Sequence, residues 1–156
     1  MSDARPDDLP RTGRLAGIDF GTVRIGVAIT DPDQRLASPH ENYTRNGLVA
    51  DAAWIKRLAA SERVVGFVVG LPVHGSGEES QKSHEARLFA AWLAKETKLP
   101  VRLFDERYTT AHAEAALLEA GLTKKRRKER LDKLAAQILL AAYLESSRSD
   151  EEPGAL

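Results

Sequence analysis

Three carboxylates occupy positions where packing alone would not place an acid. Asp19 lies near the end of the first apolar run of the chain, and Glu106 directly follows the apolar run at 101–104 and its closing acid Asp105. Asp132 lies on the apolar side of a helical pattern. An acid in such a place is unfavourable unless a cation or hydrogen bonds compensate its charge. The three acids are therefore candidates for a functional site.

The chemistry that these acids suit is metal-dependent hydrolysis. In an open α/β sheet, ligands bind at the carboxyl ends of the strands; Asp19 and Glu106 occupy such ends, and the last helix could bring Asp132 to them. Carboxylates with no His or Cys beside them favour Mg²⁺ or Mn²⁺ over zinc. Two such ions, about 3.5–4 Å apart, would activate water and stabilise the leaving oxygen in phosphodiester hydrolysis. Taken singly, each acid could also be a turn cap, a surface ion pair or a helix-dipole partner, so the hypothesis rests on the set.

Basic and hydroxyl side chains near the acids favour a phosphate-containing substrate. Arg24 in the second apolar run and Arg107 directly after Glu106 are candidates to hold phosphate oxygens in a bidentate manner. Thr109 and Thr110 stand at a predicted helix start, where a hydroxyl and free amides can bind an anion. We therefore assign all four residues to substrate binding.

A cluster of cations precedes Asp132, because six of the seven residues in 124–130 are Lys or Arg. We call it the basic cluster. It falls at the start of the last predicted helix, where cations oppose the helix dipole, and this unfavourable placement favours a polyanion partner over a solvated charge run. The members that we assign to nucleic-acid contact are Lys124, Lys125, Arg126 and Arg127.

The overall composition conceals this cluster. The 156 residues include 23 Lys and Arg against 23 Asp and Glu, so the formal net charge is zero. The segments 1–13 and 147–156 are predicted to be disordered polar tails rich in acids, which leaves one basic domain at 14–146.

Composition also excludes several classes of protein. The absence of Cys excludes a thiolate nucleophile, a cysteine zinc site and a disulfide framework. No apolar stretch approaches the roughly 20 residues of a membrane span, and the N-terminal segment lacks the apolar core of a secretory signal. We therefore expect a soluble, cytoplasmic protein without a membrane partner.

Short β-branched runs and helical periodicity predict the elements that position the acids. Runs at 15–20 and 23–30 predict a hairpin, with a third strand within 35–43. The remaining predictions are a helix at 48–60 with Leu48, Ala52, Ile55, Leu58 and Ala59 on one side, a strand at 64–69, a glycine-rich loop at 70–77, a helix at 79–97, a strand at 100–105, a helix from Thr109 or Thr110 to Gly121, and a helix at 131–144. This order predicts a mixed sheet, antiparallel at one side and parallel at the other, with helices on both faces.

Other residues carry weaker signals. The four His residues show no metal-ligand spacing. Trp54 and Trp92 lie on helical patterns, which assigns them to the core rather than to base stacking. The loop at 70–77 could be a mobile substrate loop or an ordinary connection, and both interpretations stay open.

Four motifs, in order, resemble the YqgF family, whose members are described as pre-16S rRNA nucleases and as Holliday-junction-resolvase-like proteins. The motifs are Gly17-Ile-Asp-Phe-Gly-Thr-Val-Arg-Ile-Gly-Val-Ala, Val69-Gly-Leu-Pro, Phe104-Asp-Glu-Arg-Tyr-Thr-Thr and Leu131-Asp-Lys-Leu-Ala-Ala-Gln-Ile-Leu-Leu. The match covers about residues 14–146. The loop at 73–77 departs from the family pattern, which often contains an Asp-Gly pair there.

The resemblance implies a ribonuclease-H-like fold and a metal-dependent nuclease that trims the 5′ end of the small-subunit rRNA precursor, with ribosomal precursor particles as further partners. The family's acids fall on Asp19, Glu106 and Asp132, and its Gly-Leu-Pro stretch begins at Gly70, a candidate substrate contact. We expect Asp19 to bridge two Mg²⁺ or Mn²⁺ ions, with each of the other two acids completing one coordination sphere.

Three alternatives remain open. The turn at 19–22 also resembles the phosphate-binding turn of actin-like and sugar-kinase ATPases, although those enzymes need two lobes. A non-catalytic RNA-binding assembly module would keep the fold without turnover. A resolvase of four-way DNA junctions would use the same acids in a dimer. The residues by themselves select neither RNA nor DNA, nor an oligomeric state.

Overall fold

The computed structural model describes residues 9–72, 80–106 and 124–151, and in the last range the side chains of 133–147. The strands of this part of the chain are β1 (Arg14–Phe20), β2 (Arg24–Thr30), β3 (Ala37–Thr44), β4 (Val64–Leu71) and β5 (Val101–Asp105). Its helices are α1 (Leu48–Ser61), α2 (Gln81–Thr97) and α3 (Lys124–Glu151). Among these helices, none combines the length and the apolar character that crossing a membrane requires. The predicted helix at 109–121 lies outside the described residues.

The five strands form one mixed sheet in the order β3-β2-β1-β4-β5. Neighbouring strands are antiparallel in the β1–β2 and β2–β3 pairs and parallel in the β1–β4 and β4–β5 pairs. The turn between β1 and β2 requires Gly21, because a Cβ there would lie 2.5 Å from the carbonyl oxygen of Arg24. The predicted mixed sheet is therefore confirmed.

Helices cover both faces of the sheet, as the order of elements predicts. On one face, α1 and α2 bury Ile55 and Leu93 against Ile18 of β1. On the other face, α3 buries Leu140 in a second core cluster that includes Leu15 of β1 and Val68 of β4. Successive residues of β1 alternate between these layers, so the odd-numbered positions, Asp19 among them, face the α3 side.

The described residues at 9–13 and 147–151, which the sequence assigns to disordered tails, belong to the folded part of the chain. Leu9 is 7% exposed and packs in the core under α3. The Gln34 side-chain amide donates to the carbonyl oxygen of Pro10, and Arg11 donates to the Ser147 hydroxyl at 3.1 Å. At the other end, α3 continues through Glu151. The polar composition of these two segments therefore does not prevent them from joining the fold, because Leu9, Pro10, Arg11 and Ser147 find partners in it.

The buried side of α1 agrees with the prediction at Ile55 and Leu58 and differs from it near the start of the helix. Leu48 is 63% exposed, whereas Asp51 is 1% exposed. The Asp51 carboxylate accepts hydrogen bonds from the Tyr43 hydroxyl at 2.8 Å, the Arg45 Nε at 3.0 Å and the backbone N–H of Asn46 at 2.9 Å. These donors compensate the cost of burying its charge. Hydrophobic spacing could not reveal the network, because the donors come from β3 and the turn that follows it.

We expect Asp51→Ala to lower the free energy of unfolding by about 3 kcal/mol, because Arg45 and Tyr43 lose a shared buried acceptor. For a chain of this size, the Tm should fall by about 6–12 °C. Burial raises the pKa of Asp51, but the hydrogen bonds from Asn46, Tyr43 and Arg45 outweigh burial and hold this pKa below its usual value of 3.8. A lowered folded-state pKa stabilises the fold above about pH 4 and ceases to do so as the pH falls. The difference between wild type and variant should therefore shrink in acid.

Thermal unfolding followed by circular dichroism, at neutral and at acidic pH, measures both effects. Glu96→Ala is the matched control, because the ion pair between Glu96 and Lys56 at 3.1 Å involves a Lys side chain that is 54% exposed. Removing such a surface pair should cost less than about 1 kcal/mol. An equal loss of unfolding free energy in Asp51→Ala and Glu96→Ala would contradict the role given to Asp51.

Candidate functional site

Asp19 and Glu106 line the same cleft at one edge of the sheet. Asp19 is the second-last residue of β1, and Glu106 directly follows β5. Because β1, β4 and β5 run parallel, their carboxyl ends meet at this edge. The cleft has a volume of about 340 Å³, and Gly70, Lys82 and Glu85 contribute to its wall. We call it the acidic cleft.

Gly70 makes room for the Glu106 carboxylate. Gly70 pairs with Phe104 in the β4–β5 ladder, two residues before Glu106. A Cβ at Gly70 would collide with Oε1 of Glu106 and lie 3.1 Å from its Cγ and Cδ. The predicted loop therefore starts later than residue 70, since β4 continues to Leu71 and the residues from 73 to 79 lie outside the described ones.

The surroundings of Glu106 disfavour its charged form. Burial raises the pKa of Glu106 above its usual 4.5, the charge of Asp105 raises this pKa further, and Lys82 lowers it. When a carboxylate is desolvated and close to another acid, a cation that binds beside it favours its charged form. A cation bound beside Glu106 would therefore stabilise the charged form of this carboxylate.

The first turn of α2 brings a lysine to the acidic cleft. Ser80 caps the helix, its hydroxyl accepting from the Ser83 amide at 3.2 Å, and the Ser83 hydroxyl donates to the carbonyl oxygen of Pro72. These bonds attach the start of α2 to the end of β4, which positions Lys82 and Glu85 in the cleft wall. The sequence analysis missed Lys82 and Glu85, because their residue types are common on helix surfaces. The available signal was their position, since a helix that starts soon after a parallel strand begins at the ligand-binding end of the sheet.

The direction of α3 places position 132 toward the same edge. The carbonyl oxygen of Ala136 lies against β1, and Ser147, further along α3, contacts Arg11 before β1 begins. The helix therefore runs opposite to β1, so Asp132, one turn before Ala136, lies toward the end of β1 that carries Asp19. The structure describes only the backbone at 132. Among the side chains that it does describe, no three His, Asp or Glu residues gather closely enough to hold a metal ion.

The other residues predicted to contact the substrate do not line the acidic cleft in the described part of the chain, or lie outside that part. Arg24 starts β2 and is exposed, and it is not one of the described residues that line the acidic cleft, whereas Thr22 is. The basic cluster forms the first two turns of α3, which starts at Lys124 and not at 131 as predicted. Arg107, Thr109 and Thr110 lie outside the described residues.

Comparisons with known proteins agree with this architecture. Residues 13–146 match the family model described as "RuvX: Holliday junction resolvase". A relative from Rhodopirellula baltica, named "Putative pre-16S rRNA nuclease", is 54% identical over 142 residues, which are 91% of this chain and 82% of the relative. A relative with the same name from Cereibacter sphaeroides is 44% identical over 137 residues, covering 88% of this chain and 86% of its own length.

The solved structure of T. thermophilus RuvC in complex with Holliday junction substrate aligns with a TM-score of 0.60 at 15% identity, over 88% of this chain and 96% of the RuvC chain. At this identity the likeness concerns the fold alone, and it confirms the ribonuclease-H-like architecture that the motifs imply. The family model and the two relatives confirm the resemblance itself. The chain therefore belongs to the RuvX Holliday junction resolvase family, which its four motifs indicated from the sequence as the YqgF family.

Proposed function

We propose that the chain is a metal-dependent nuclease that processes the 5′ end of the 16S rRNA precursor. The observation that carries this proposal is the meeting of Asp19 and Glu106 in one cleft at the strand ends of a RuvX-family fold. Phosphodiester hydrolysis follows from the family, and the rRNA substrate from the names of the two relatives. Work on an rRNA precursor would place the protein in the cytoplasm.

The acidic cleft fits two Mg²⁺ or Mn²⁺ ions. Asp19 and Glu106 would offer the hard oxygen ligands that these ions prefer, and Asp132 would add a third carboxylate from α3. Gly70 makes room for the Glu106 carboxylate at this end of the sheet, and a bound cation would offset the burial that raises the pKa of Glu106. When bound, the ions supply activation of water and stabilisation of the leaving oxygen.

Other residues of the chain would bind and orient the phosphate. Lys82, in the cleft wall, provides a positive charge next to Glu106. The N-terminus of α2, where this lysine lies, carries the positive end of the helix dipole. Arg24, Arg107, Thr109 and Thr110 remain the candidates for contacts to the flanking phosphates.

A cleavage assay tests the proposal. The full chain is incubated with Mg²⁺, Mn²⁺ or EDTA and with three substrates: a 5′-extended rRNA precursor fragment, the same sequence as DNA, and a four-way DNA junction. We expect the RNA to be cut in the presence of either metal and to stay intact in EDTA. Binding of the RNA without cleavage in any metal would contradict the nuclease and favour a binding module.

The family's description as a Holliday junction resolvase favours a second candidate, the cutting of four-way DNA junctions. This activity would use the same acids but would need two active sites that cut symmetrically, hence a dimer. Cleavage of the junction alone, with a dimer mass by light scattering, would favour this second function over rRNA processing.

The basic cluster predicts how nucleic-acid binding depends on salt. Replacing Lys124, Lys125, Arg126 and Arg127 with Gln keeps helix propensity and removes four charges. If each charge neutralises one phosphate, the slope of log K against log salt should fall by about 3 for a single strand. Fluorescence anisotropy over a salt series measures this slope.

The matched control for the salt series is the double variant Lys56→Gln and Lys95→Gln. These two lysines lie in the second half of α1 and the last turn of α2, at the end of the sheet away from the acidic cleft. We expect the control to keep the wild-type slope. An unchanged slope in the four-residue variant would remove the role assigned to the basic cluster.

A further inference from the structure

A second groove adjoins the acidic cleft and is lined mainly by aromatic and aliphatic side chains. It has a volume of about 370 Å³, and its wall includes Phe20, Arg45, Leu48, Leu88, Phe89 and Trp92. We call it the aromatic groove. Phe20, Thr22 and Glu85 line both the groove and the acidic cleft. The two depressions are therefore continuous across the end of β1.

The aromatic rings in this groove form a connected platform. The Phe20 and Phe89 rings stack with centroids 4.5 Å apart, and the Phe89 and Trp92 rings lie 5.5 Å apart. Phe89 is buried in the core and supports the half-buried rings of Phe20 and Trp92, which provide the accessible surface. Leu48 and Leu88, which are 63% and 58% exposed, extend the apolar surface around the rings. Aromatic surfaces of this kind bind unpaired nucleobases by stacking.

Arg45 adds a flat cation to the wall of the groove. Its guanidinium carbon lies 5.2 Å from the centroid of the Phe20 ring, and its Nε donates to the buried Asp51 carboxylate at 3.0 Å. The pairing with Asp51 holds the guanidinium in one orientation, which lowers the entropy lost when a ligand binds. A guanidinium plane stacks on bases and also binds phosphate. Glu85, at the side shared with the cleft, can accept hydrogen bonds from an exocyclic amino group.

We propose that the aromatic groove binds an unpaired nucleobase of the same strand whose phosphate lies in the acidic cleft. The inference rests on the proposed nuclease function and adds to it a substrate class: a scissile phosphate flanked by a single-stranded nucleotide, because a base held in a duplex cannot enter the groove. The volume of the groove lies within the roughly 300–1,000 Å³ of small-molecule sites. Its continuity with the cleft and its charged rim favour a base over an apolar protein segment.

The test is binding of short single strands that carry the fluorescent base 2-aminopurine at each position in turn, because stacking quenches this base. RNA and DNA strands of one sequence, and the corresponding blunt duplex, are titrated with the full chain in EDTA. We expect quenching at one position in the single strands and none in the duplex. Trp92→Leu should lower the affinity for the single strand about tenfold, as expected for loss of one stacking platform, and should remove the quenching.

Two further variants keep the test independent of folding. Leu88→Glu changes an exposed helix position to a good helix former, so it should fold and still weaken binding. Leu36→Ala is the control, since Leu36 is 72% exposed between β2 and β3, at the other end of the sheet. We expect the control to bind and quench as the wild type does. Quenching of 2-aminopurine in the RNA strand alone would assign the base to RNA. Quenching in both the RNA and the DNA strand would mean that the groove does not distinguish ribose from deoxyribose, and either result supports the groove.

Wild-type affinity and quenching in both Trp92→Leu and Leu88→Glu would overturn the proposal. A loss of self-association in these variants by light scattering, with nucleic-acid binding unchanged, would also overturn it and assign the groove to a second copy of the chain. The proposed nuclease fails separately: a protein that quenches but cuts nothing in Mg²⁺ or Mn²⁺ keeps the groove and loses the nuclease. A protein that cuts RNA but does not quench 2-aminopurine keeps the nuclease and loses the aromatic groove as a base site.

Discussion

Asp19→Asn is expected to lower the rate of cleavage by about 10³-fold while the protein stays folded. Asparagine has the size of aspartate but lacks its charge, so the acidic cleft would lose its central metal ligand. Bound metal supplies several kcal/mol of transition-state stabilisation, and each 1.36 kcal/mol changes a rate tenfold. Because asparagine keeps the shape of the side chain at the end of β1, the Tm should change little.

Single-turnover cleavage of the rRNA precursor fragment measures the rate, and calorimetric titration with Mn²⁺ should show weaker binding in the same variant. Asp33→Asn is the matched control, because Asp33 is exposed in the turn between β2 and β3, at the opposite end of the sheet. We expect this control to cleave at the wild-type rate. Cleavage by Asp19→Asn at the wild-type rate would exclude the acidic cleft as the catalytic centre.

Gly70→Ala is expected to lower cleavage by about 10²-fold with little loss of stability. The added methyl would occupy the place of the Glu106 carboxylate, and displacement of a catalytic group by about 1 Å can cost this factor. The stability should change little, because the atoms in the way belong to the end of a flexible side chain and not to the backbone. The same displacement should weaken Mn²⁺ binding.

Gly66→Ala, in the same strand, separates this effect from a general effect of substituting glycine in β4. A Cβ at Gly66 would lie 3.0 Å from the Leu9 side chain and far from the acidic cleft. We expect Gly66→Ala to retain activity, whatever its effect on stability. If the two variants lost activity equally, packing of the strand and not the position of Glu106 would explain the result.

The contact between Gly70 and Glu106 shows where sequence patterns stop being informative. The motif around Gly70 is visible in the sequence, where Gly70 is a candidate substrate contact at the start of a loop that could also be an ordinary connection. Its structural reason is a contact with a residue 36 positions later in the chain, created by the pairing of β4 with β5. A periodicity that is read over a few neighbouring residues contains no information about such a pairing.

Asp51 and Trp92 show that hydrophobic spacing does not predict which neighbours a helix residue contacts. Hydrophobic spacing placed Leu48 on the buried side of α1, whereas the structure buries Asp51, whose donors lie before the helix. It assigned Trp92 to the core, and Trp92 does pack against the core, but it also lines a groove with Phe20 of β1. Local pattern indicates that a residue is apolar, and tertiary packing decides what it contacts.

The sequence by itself determined the strands, α1 and α2 to within a few residues, the mixed sheet, and the acids at the ends of β1 and β5. These features follow from local chemistry: β-branched runs, turn residues and an acid placed directly at the end of a strand. Only the tertiary structure decided that Lys82 joins Asp19 and Glu106, that Gly70 makes room for a carboxylate, and that an aromatic groove continues the cleft. Each of these features depends on side chains from separate elements, and the sheet order and the packing of the helices bring such side chains together.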